Sequence, residues 1–450
     1  MTSIDARSLA INGGAAAAKD LEGTPLPKIG IDEFLEVADT WGFSANLVRQ
    51  IRELVKFEDQ TNPRFTRYFN RRPSKVAKLE AQLSTSFDMP YVLAVNSGTS
   101  AVYAAYIAVG VGPGDEIIVP AYTFPATASA ALMVGAMPVI AEVDESLTLD
   151  PGDVAAKITS KTRAVVAVHI GGACADMKSM VELADRHGVA LIEDVAQACG
   201  ATYRGQRLGT FGAVGSFSLN GFKHVGGGEG GFLLTHDERY YRRALNIHDV
   251  GAAWRLDSFR DVEDVDNFFG FNLRMSELEG AVDLVQVLKM DERIGRYRLA
   301  KQRVVEQLGS FEGIVPQVRH DRDGELADNL VFFTPNAATA AKIADALVAE
   351  GVPAGARSSK DWHSYASWDQ LLRRRTPFRT GFPWTHPKGA SARPEYAKDM
   401  CPRTLELLDR AVHVSIGPHW TAADCVRIAE AINKVLDAFC GLGSGCSANL

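Results

Sequence analysis

One lysine stands where its amine can do covalent chemistry. Lys223 lies in the segment Ser216–Leu234, SFSLNGFKHVGGGEGGFLL, between a short serine and asparagine turn and a run of glycines. Because glycine has no Cβ, the backbone of that run can adopt positive φ and pass close to a bulky group. A lysine amine held there can form a Schiff base with an aldehyde cofactor. The alternative is a surface hairpin with a solvated lysine, so the interpretation depends on residues upstream.

Three further stretches carry groups that suit such a cofactor. The turn Asn96-Ser97-Gly98-Thr99 precedes a predicted helix, whose free N–H groups can bind a phosphate; an ordinary N-cap is the alternative. Asp194 ends a predicted buried strand, where a carboxylate needs a capping N–H or a cation. Gln197, three residues on, can hydrogen-bond a ring oxygen. Phe124 can lie flat on a ring, although an isolated phenylalanine is more often a core residue.

Together these groups match pyridoxal phosphate. That cofactor needs a lysine for its aldehyde, a carboxylate for its pyridinium nitrogen, an N–H cradle for its phosphate and a flat wall for its ring. Asp194 would keep the ring nitrogen protonated, so that the ring can accept the electrons left when a Cα proton departs. We therefore predict pyridoxal 5'-phosphate as the cofactor, with Lys223 and Asp194 as catalytic residues.

Alternating strands and helices are predicted to position these groups. Four short apolar segments are predicted as strands: Tyr91–Val95, Glu116–Val119, Ala164–Val168 and Ala190–Ile192. Their alternation with helical segments predicts an α/β fold, a mainly parallel sheet flanked by helices. Ligands on such sheets bind beyond the carboxyl ends of the strands. Residues 97–99, Phe124, Asp194 and Lys223 all follow strand ends, so we expect them to meet there.

The rest of the chain is predicted to add an arm and a second, smaller domain. A long helix after Met275 places Leu278, Val282, Val285 and Leu288 on one face. A strand at Asn329–Phe333, a helix at Ala337–Glu350 and a closing helix capped by Thr421 then predict a smaller C-terminal α+β domain. The predicted divisions are an N-terminal arm with helices (1–74), a large cofactor-binding domain (75–298), the small domain (299–440) and a flexible tail (441–450).

Composition narrows the class of protein. The 450 residues are 46% hydrophobic, which is ample for a large core. A net charge of −7 gives no reason to expect a nucleic acid or an anionic membrane surface. The six cysteines show no CxxC pair, and the ten histidines show no HExxH spacing, so reduced thiols and no metal are expected. The first residues do not resemble a signal peptide, and Pro125–Val143 is predicted as a buried helix plus a strand, so we expect a cytoplasmic protein.

Six ordered motifs resemble the DegT/StrS family of sugar and cyclitol aminotransferases, which are fold-type I pyridoxal-phosphate enzymes. The resemblance runs from residue 75 to residue 300. It is carried by these stretches: NSGTSAV (96–102), GDEIIVPAYTFPATASA (114–130), VHIGGACADM (168–177), LIEDVAQACGATYRGQRLGTFG (191–212), FSLNGFKHVGGGEGG (217–231) and GFNLRMSELEGAV (270–282).

The resemblance implies roles for matching residues. Lys223 resembles the covalent lysine that also shuttles a proton, and Asp194 the pyridinium partner. Asn272 resembles an asparagine that is donated by a neighbouring subunit, which implies a homodimer or larger assembly with a shared site. The remaining implied cofactor contacts are the ring hydroxyl (Gln197), the stacking aromatic (Phe124) and the phosphate (Gly98, Thr99 and Ser218).

The resemblance also implies a reaction. An amino group would move from an amino acid, glutamate or glutamine, to a ring ketone of a sugar or cyclitol, in antibiotic, other natural-product or surface-sugar biosynthesis. The alternatives are a dehydratase, aromatase or oxidase of the same fold, or a non-catalytic cofactor-binding partner. In related sugar dehydratases a histidine replaces the lysine, so Lys223 favours amino transfer.

Three features depart from the family pattern and leave the substrate open. One is the length of the N-terminal arm before residue 60. His224 is either a satisfied loop histidine, which we favour, or a substrate contact. The segment Arg357–Tyr396 is rich in arginine, tryptophan and proline. Within it, Arg373–Arg375 is interpreted as a solvated charge run, with a contact to a phosphorylated substrate as the alternative.

Overall fold

The structure is a computed structural model that describes residues 5–16, 18–19, 29–55, 74–251, 268–387 and 395–441. The chain divides into two compact units, Met1–Phe65 and Thr66–Leu450. Residues 442–450 of the predicted tail lie outside the described residues. The predicted domain boundaries at 74, 298 and 440 stay predictions.

The first unit contains two short helices, α1 (Ile31–Asp39) and α2 (Ala45–Val55). The side chain of Glu33 accepts the backbone N–H of Gly30 at 2.7 Å and so closes the first turn of α1. Leu35 and Ala38 of α1 are buried. The sequence predicts helices in the N-terminal arm, and α1 and α2 confirm them.

The second unit is built on a seven-stranded sheet. Its strands, together with the small hairpin of β6 and β7, are β1 (Tyr91–Val95), β2 (Glu116–Pro120), β3 (Met137–Ala141), β4 (Thr162–Val168), β5 (Ala190–Asp194), β6 (Thr202–Tyr203), β7 (Gln206–Arg207), β8 (Val214–Ser218) and β9 (Gly231–Thr235). The order across the large sheet is β1-β9-β8-β5-β4-β2-β3. Only β9 runs antiparallel to its neighbours, β1 and β8. The predicted mainly parallel sheet is confirmed.

Helices cover both faces of this sheet. They are α3 (Lys75–Phe87), α4 (Gly98–Ala108), α5 (Ala126–Met133), α6 (Pro151–Lys157), α7 (Met177–His187), α8 (Glu238–His248), α9 (Glu277–Leu288) and α10 (Met290–Val305). Successive strand residues point to opposite faces, so Leu93 and Val95 join one core with α4, α5 and α8. Val92 and Ala94 join the other core with α3, α7 and α10. Because these strands are buried on both faces, their sequences are continuous apolar runs.

The predicted apolar face of α9 points outward. Leu278, Val285 and Leu288 are exposed, whereas the buried side of α9 carries Glu277 and Asp283. The carboxylate of Glu277 accepts the hydroxyl of Ser74 and the first amide of α3, and thereby ties α9 to that helix. The apolar spacing therefore predicted the helix correctly but not which of its sides is buried.

A second sheet follows, made of antiparallel strands. Its strands are β10 (Val315–Pro316), β11 (Asn329–Phe333), β12 (Ala354–Ala356) and β13 (Ala411–Ser415), in the order β10-β11-β13-β12. The helices of this region are α11 (Ala337–Ala349), α12 (Asp369–Leu372), α13 (Pro402–Arg410) and α14 (Ala422–Cys440). Helices α11 and α14 share a core with this sheet. Thr421 and Asp424 form the capping box that starts α14. The predicted C-terminal α+β arrangement is confirmed.

Among the described residues, no helix combines the length and the apolar character that crossing a membrane requires.

Candidate active site

The candidate site lies at the carboxyl edge of the central sheet. Asp194 is the last residue of β5 and Ser218 the last of β8, while Ser97 follows β1 and Phe124 follows β2. Because β1, β2, β5 and β8 run in the same direction, these residues reach the same edge. Lys223 comes five residues after Ser218, in the loop that leads to β9. The structure therefore places the candidate residues at one edge of the sheet, as the sequence predicts.

Asp194 is nearly completely buried, yet both of its carboxylate oxygens accept hydrogen bonds. Oδ1 accepts the backbone N–H of Ala196 at 3.1 Å, and Oδ2 accepts the hydroxyl of Thr127 at 2.9 Å. Burial raises the pKa of Asp194 above its ordinary value, while those two hydrogen bonds and the charge of Lys223 act in the opposite direction. Two neutral donors do not balance a buried negative charge, so a cationic group would complete its pairing.

The loop that carries Lys223 is closed by backbone hydrogen bonds. The N–H of Lys223 donates to the carbonyl of Asn220 at 2.8 Å, and the N–H of Gly221 donates to that of Gly228 at 2.7 Å. A Cβ on Gly226 would stand 2.2 Å from the carbonyl oxygen of Asn220. Glycine is therefore required at that position, as the close approach inferred from the sequence predicts.

The amine of Lys223 lies in a partly buried environment. Burial lowers the pKa of Lys223, and the carboxylates of Asp194 and Asp328 oppose that shift. A lowered pKa increases the fraction of the neutral amine, which is the nucleophilic form. Asp194 and Asp328 are the acidic groups that influence Lys223 most, and sequence reasoning identified only the first of them.

The start of α4 offers an anion site. The hydroxyl of Ser97 accepts the N–H of Ser100 at 3.1 Å and caps the helix. The amides of Gly98 and Thr99 cannot be satisfied within the helix, so they suit an anionic ligand. A Cβ on Gly98 would lie 2.6 Å from Cβ of Ser218, so only glycine allows β8 to come this close to the helix start.

Gln197 and Phe124 each follow a strand that ends at this edge, β5 and β2 respectively. Oε1 of Gln197 accepts the N–H of Gly171 at 2.8 Å, which leaves the side-chain NH₂ group to donate elsewhere. Phe124 is 46% exposed, and its ring centroid lies 5.8 Å from that of His363. A large aromatic ring that is half exposed at a site edge is available to cover a planar ligand.

Glu193, next to Asp194, is a positioning residue that sequence reasoning missed. Its side chain points to the opposite face of β5, where it is fully buried and accepts three backbone N–H groups of the loop 209–212 at 2.7–2.8 Å. Nε2 of His169 lies 3.3 Å from the same carboxylate, and Nδ1 of His169 accepts the N–H of Ala175. Glu193 thus fixes the turn after β4 and the loop before β8. The sequence signal for this role is that Glu193 is a second acidic residue at the end of a buried strand.

His224 has a structural explanation. Its Nε2 lies 2.6 Å from the carbonyl oxygen of Cys199. Burial lowers the pKa of His224 to about 4, so the ring is neutral at neutral pH and donates this hydrogen bond. The interpretation as a satisfied loop histidine is confirmed.

Among the described residues, the contacts of Asn272 are with Arg274 and Asp249 and do not include Lys223. It is exposed, its Oδ1 accepts the N–H of Arg274 at 3.3 Å, and it pairs with Asp249 through the backbone. The next residue, Leu273, accepts the N–H of Asn96 at 2.8 Å. The assignment of Asn272 to a neighbouring subunit's site stays a prediction.

The arginine run 373–375 lies at the other end of the sheet. Arg373 forms an ion pair with Asp369 on the surface. Arg374 acts electrostatically on Tyr396, whose hydroxyl donates to the carbonyl of Pro138 at 2.7 Å. Pro138 is near the amino end of β3, opposite the edge where Asp194 ends β5. The structure therefore favours the solvated charge run over a contact with a substrate phosphate.

A neighbouring part of the same segment does border the site. The N–H of Thr123 donates to the carbonyl of His363, and the N–H of Tyr365 donates to that of Ala121, both at 2.9 Å. These bonds hold residues 363–365 against the residues that lead to Phe124. We call residues 357–364 the site wall. Its only sequence signal was that Arg357–Tyr396 departs from the family pattern.

The fold and the arrangement at the sheet edge define a class, the fold-type I pyridoxal-phosphate transferases. A solved 3-amino-5-hydroxybenzoic acid synthase superposes with a TM-score of 0.69 at 27% identity, over 87% of this chain and 95% of that one. The chain belongs to the DegT/DnrJ/EryC1/StrS aminotransferase family, whose sequence profile matches residues 67–377. Aminotransferases of this family depend on pyridoxal phosphate, so the predicted cofactor is confirmed at the level of the family.

Curated relatives match over part of their length. An L-glutamine:2-deoxy-scyllo-inosose aminotransferase of Micromonospora echinospora is 38% identical over 246 residues, which is 54% of this chain and 58% of that protein. A GDP-perosamine synthase of Escherichia coli O157:H7 is 36% identical over 224 residues, 50% of this chain and 60% of that protein. The chain thus spans less than two thirds of the length of these relatives.

Proposed function

We propose that this protein transfers an amino group from an amino acid, glutamate or glutamine, to a ring ketone of a sugar or cyclitol. The observation that carries the proposal is the pairing of a partly buried lysine with a buried, doubly hydrogen-bonded carboxylate at one sheet edge. The names of two relatives support the substrate class, one with glutamine and a cyclitol ketone and one with a nucleotide sugar.

The residues present fit pyridoxal phosphate. Among the described residues no ion pair engages Asp194, and a pyridinium N–H would supply one. The absence of a Cβ at Gly98 leaves room beside two helix-start amides that can bind an anion. Gln197 has a free NH₂ group for a ring oxygen, and Phe124 has an exposed ring. When bound, the cofactor supplies an electron sink for the pair left behind by a departing Cα proton.

Lys223 has two duties in the proposed reaction. Its lowered pKa supplies a neutral Nζ that can attack an aldehyde. The same Nζ, when neutral, would also accept the Cα proton of the bound amino acid and later give that proton back. Asp194 would hold the ring nitrogen by accepting its N–H, because a charge-assisted hydrogen bond is stronger than a neutral one.

A donor screen tests the proposal. The purified protein is loaded with pyridoxal phosphate and mixed with single amino acids while the absorbance of the lysine-bound cofactor is followed. We expect that band to disappear with glutamate or glutamine, and mass spectrometry to find an aminated product once keto-cyclitols or nucleotide-linked keto-sugars are added. If no amino acid converts the cofactor to its amine form, the proposal is wrong. A dehydratase, oxidase or non-catalytic role then takes its place.

We further propose a homodimer with shared sites. Phe222, next to Lys223, is 99% exposed, and Phe269, near Asn272, is 93% exposed. Exposed apolar side chains of this size mark protein interfaces, and the outward face of α9 adds Leu278, Val285 and Leu288 to the exposed apolar surface. A second copy that covers this surface would bring Asn272 towards the phosphate of its partner's cofactor.

Subunit mixing tests this arrangement. Lys223→Ala and Asn272→Ala proteins are each expected to be inactive. After mixing, activity should return to about a quarter of the wild-type value, because random exchange makes half of the dimers hybrid and each hybrid holds one intact site. Exchange is verified independently with differently tagged subunits. No recovery despite exchange would place both residues in the same chain's site.

We place the reaction in the cytoplasm. The five described cysteines, Cys174, Cys199, Cys401, Cys425 and Cys440, are free, and burial raises the pKa of the thiols of Cys174, Cys199 and Cys401. Buried neutral thiols suit a reducing compartment.

A further inference from the structure

Asp328 is an acidic residue at the edge of the site that forms no ion pair. It comes immediately before β11, and in the described part of the chain no lysine, arginine or histidine nitrogen lies within 4.0 Å of its carboxylate oxygens. Oδ1 of Asp328 is buried without a hydrogen-bond partner, although the residue as a whole is only partly buried. A buried carboxylate oxygen without a partner is unfavourable, so a ligand that donates a hydrogen bond would stabilise Asp328.

The charges around Asp328 do not neutralise it. Nζ of Lys301 lies 2.6 Å from the carboxylate of Glu325, and Arg319 approaches the same carboxylate at 3.2 Å. Burial raises the pKa of Asp328 to about 6, while a hydrogen bond from the side chain of Asn329 and the charge of Lys301 oppose that shift. Asp328 is therefore mostly ionised at neutral pH, and the lysine whose charge acts on it is paired with another acid.

Asp328 lies at the carboxyl edge of the central sheet. The turn after β4 is joined there to the candidate cofactor site, because the N–H of Gly171 donates to Oε1 of Gln197 at 2.8 Å. Oδ1 of Asp328 lies against the next residue of this turn, since a Cβ on Gly172 would stand 2.5 Å from it. The N–H of Leu326 donates to the carbonyl of Gly172 at 3.1 Å, so the segment that leads to β11 is held against the turn.

The carboxylate of Asp328 acts on Lys223 across this edge. Burial lowers the pKa of Lys223, and the charges of Asp194 and Asp328 oppose that shift. Both oxygens of Asp194 accept hydrogen bonds from the chain itself, whereas Oδ1 of Asp328 accepts none from the described residues. Of the two acids that act on the same amine, only Asp328 therefore keeps an oxygen that a substrate could engage.

A negative charge at this place affects the two proposed substrates differently. The amino-acid donor brings a carboxylate, which Asp328 repels. A sugar or cyclitol ketone brings several ring hydroxyl groups, and each of them can donate a hydrogen bond to a carboxylate oxygen. Asp328 therefore favours the ketone over the donor carboxylate on its side of the site.

We propose that Asp328 binds ring hydroxyl groups of the acceptor and thereby selects a polyhydroxylated ketone. The inference rests on the proposed amino transfer, in which donor and ketone occupy the site in turn. A site that hydrogen-bonds a substrate hydroxyl discriminates strongly against an analogue without it, because the polar group of the site is then left unpaired. The ammonium group of the amino acid is the other source of hydrogen-bond donors, and the two half-reactions distinguish the two sources.

The kinetic test uses the full-length, cofactor-loaded protein and the ketone that the donor screen identifies as acceptor. Asp328→Asn removes the charge and keeps one acceptor oxygen, Asp328→Leu removes both oxygens, and Asp323→Asn changes an exposed acid of the same segment as the control. In the acceptor half-reaction, Asp328→Leu should raise the half-saturating ketone concentration about 10- to 100-fold, the effect of losing hydrogen bonds to a charged group. Asp328→Asn should give a smaller rise, and Asp323→Asn none. The half-saturating amino-acid concentration of the donor half-reaction should stay within about threefold of wild type in every variant.

A stability measurement adds a readout that does not depend on turnover. An unpaired buried carboxylate oxygen does not stabilise the free protein, so the unfolding temperature of Asp328→Asn without substrates should equal or exceed that of wild type. The accepted ketone should raise the unfolding temperature of wild type more than that of Asp328→Leu, because a ligand stabilises the fold in proportion to how well it binds. A fall of several degrees in ligand-free Asp328→Asn would show that the fold itself needs this carboxylate, and would overturn the inference.

The outcomes separate this inference from the proposed function. If the wild-type protein aminates a ketone and Asp328→Leu does so at the same half-saturating concentration, the assignment of Asp328 is wrong and the amino transfer stands. If only the donor half-reaction weakens, Asp328 binds the ammonium group of the amino acid and the assignment to the acceptor is overturned. If the wild-type protein converts no amino acid, or aminates no ketone, the proposed function itself fails.

Discussion

Two regions at the edge of the central sheet treat their buried polar atoms in opposite ways. At the end of β5, both oxygens of Asp194 and both oxygens of Glu193 accept hydrogen bonds from the chain itself. At the site wall, Nε of Arg357 and Oγ of Ser364 are buried and accept or donate none among the described residues. In the first region, which we call the completed region, the protein itself supplies the hydrogen bonds. In the site wall, a ligand would have to supply them.

The difference separates two requirements of the proposed site. Groups that hold a permanent cofactor must keep one geometry, so their hydrogen bonds are made within the fold. Groups that meet alternating substrates must stay unpaired until a ligand arrives. Each unpaired buried group costs about 1–3 kcal/mol in the free protein, and a bound ligand that pairs it offsets that cost.

The largest effect is expected at Lys223, in the loop after β8 at the same edge of the sheet as Asp194. Lys223→Ala should lower turnover more than about 1,000-fold, because it removes both the nucleophile and the proton carrier. Borohydride reduction of the loaded wild-type protein, followed by peptide mapping, should leave the pyridoxyl mass on Lys223. Lys289, an exposed lysine on α9's C-terminal side, is the control. A pyridoxyl mass on Lys289 would remove Lys223 from the site.

Asp194 should follow, since it supplies the buried charge of the same region. Asp194→Asn keeps the shape of the side chain but cannot hold a ring nitrogen protonated. Turnover should fall about 100-fold or more, and the cofactor should dissociate more easily. Stopped-flow measurement of Cα deprotonation with a deuterated donor checks the step. Near-normal turnover in Asp194→Asn would reject the role.

Asp283 is a buried carboxylate that can be neutralised by a proton instead of by a ligand. Both of its oxygens are buried without a hydrogen-bond partner in the described chain, close to Gly227 and Gly230. Burial raises its pKa to about 8, and the charge of Glu279 adds to the shift. The ordinary value is about 4, so between those pH values the folded chain holds a proton that the unfolded chain has released. Stability must then fall as pH rises through that window.

Asp283→Asn should remove this pH dependence. The variant stays neutral at every pH, so it should be more stable than wild type by about 1–3 kcal/mol at pH 9 and equal to it near pH 4. Urea unfolding at pH 5, 7 and 9 measures the slope. Asp345→Asn, which changes an exposed carboxylate on α11, is the control and should follow wild type. Parallel slopes for all three proteins would show that Asp283 is paired in solution.

The smallest expected effect is a difference in folding stability between two variants that each lose one hydroxyl. Ser364→Ala deletes an unpaired buried hydroxyl, so the stability of the free protein should stay the same or rise by up to about 1 kcal/mol. Thr127→Val deletes the hydroxyl that Asp194 accepts, so stability should fall by about 1–2 kcal/mol. Chemical denaturation of both variants in the absence of substrates gives the two values. Equal losses would mean that the two regions do not differ in the way described.

The sequence predicted the completed region better than the site wall, and the reason is physical. Strand ends, caps and turns before helices are local features, so Asp194, the cap at Thr421 and the helix start at residues 96–99 could be recognised from short motifs. The site wall depends on backbone hydrogen bonds between residues more than 200 positions apart, such as that between Thr123 and His363. No local pattern encodes such a contact.

The sequence left two further questions open for the same reason. Apolar spacing in α9 predicts a helix with one apolar side, but it does not tell whether the chain itself or a partner covers that side; here Leu278 and Leu288 are exposed. Charge in Arg373–Arg375 left a substrate contact open as one alternative, whereas the structure places that run towards the amino end of β3, opposite the edge where Asp194 ends β5. Only the position in the fold distinguishes the two interpretations.

The backbone bonds that hold the site wall also decide how the protein can be re-engineered. Because Thr123 pairs with His363 and Tyr365 with Ala121, the wall is an additional strand-like edge of the β2 end rather than an independent loop. If residues 357–365 alone were taken from a relative, they would have to pair with residues 121–124 of a different parental sequence. A chimera that exchanges residues 121–124 together with 357–365 keeps both bonds within one parental sequence. The smallest module that can be transferred with its backbone hydrogen bonds intact is therefore this pair of segments.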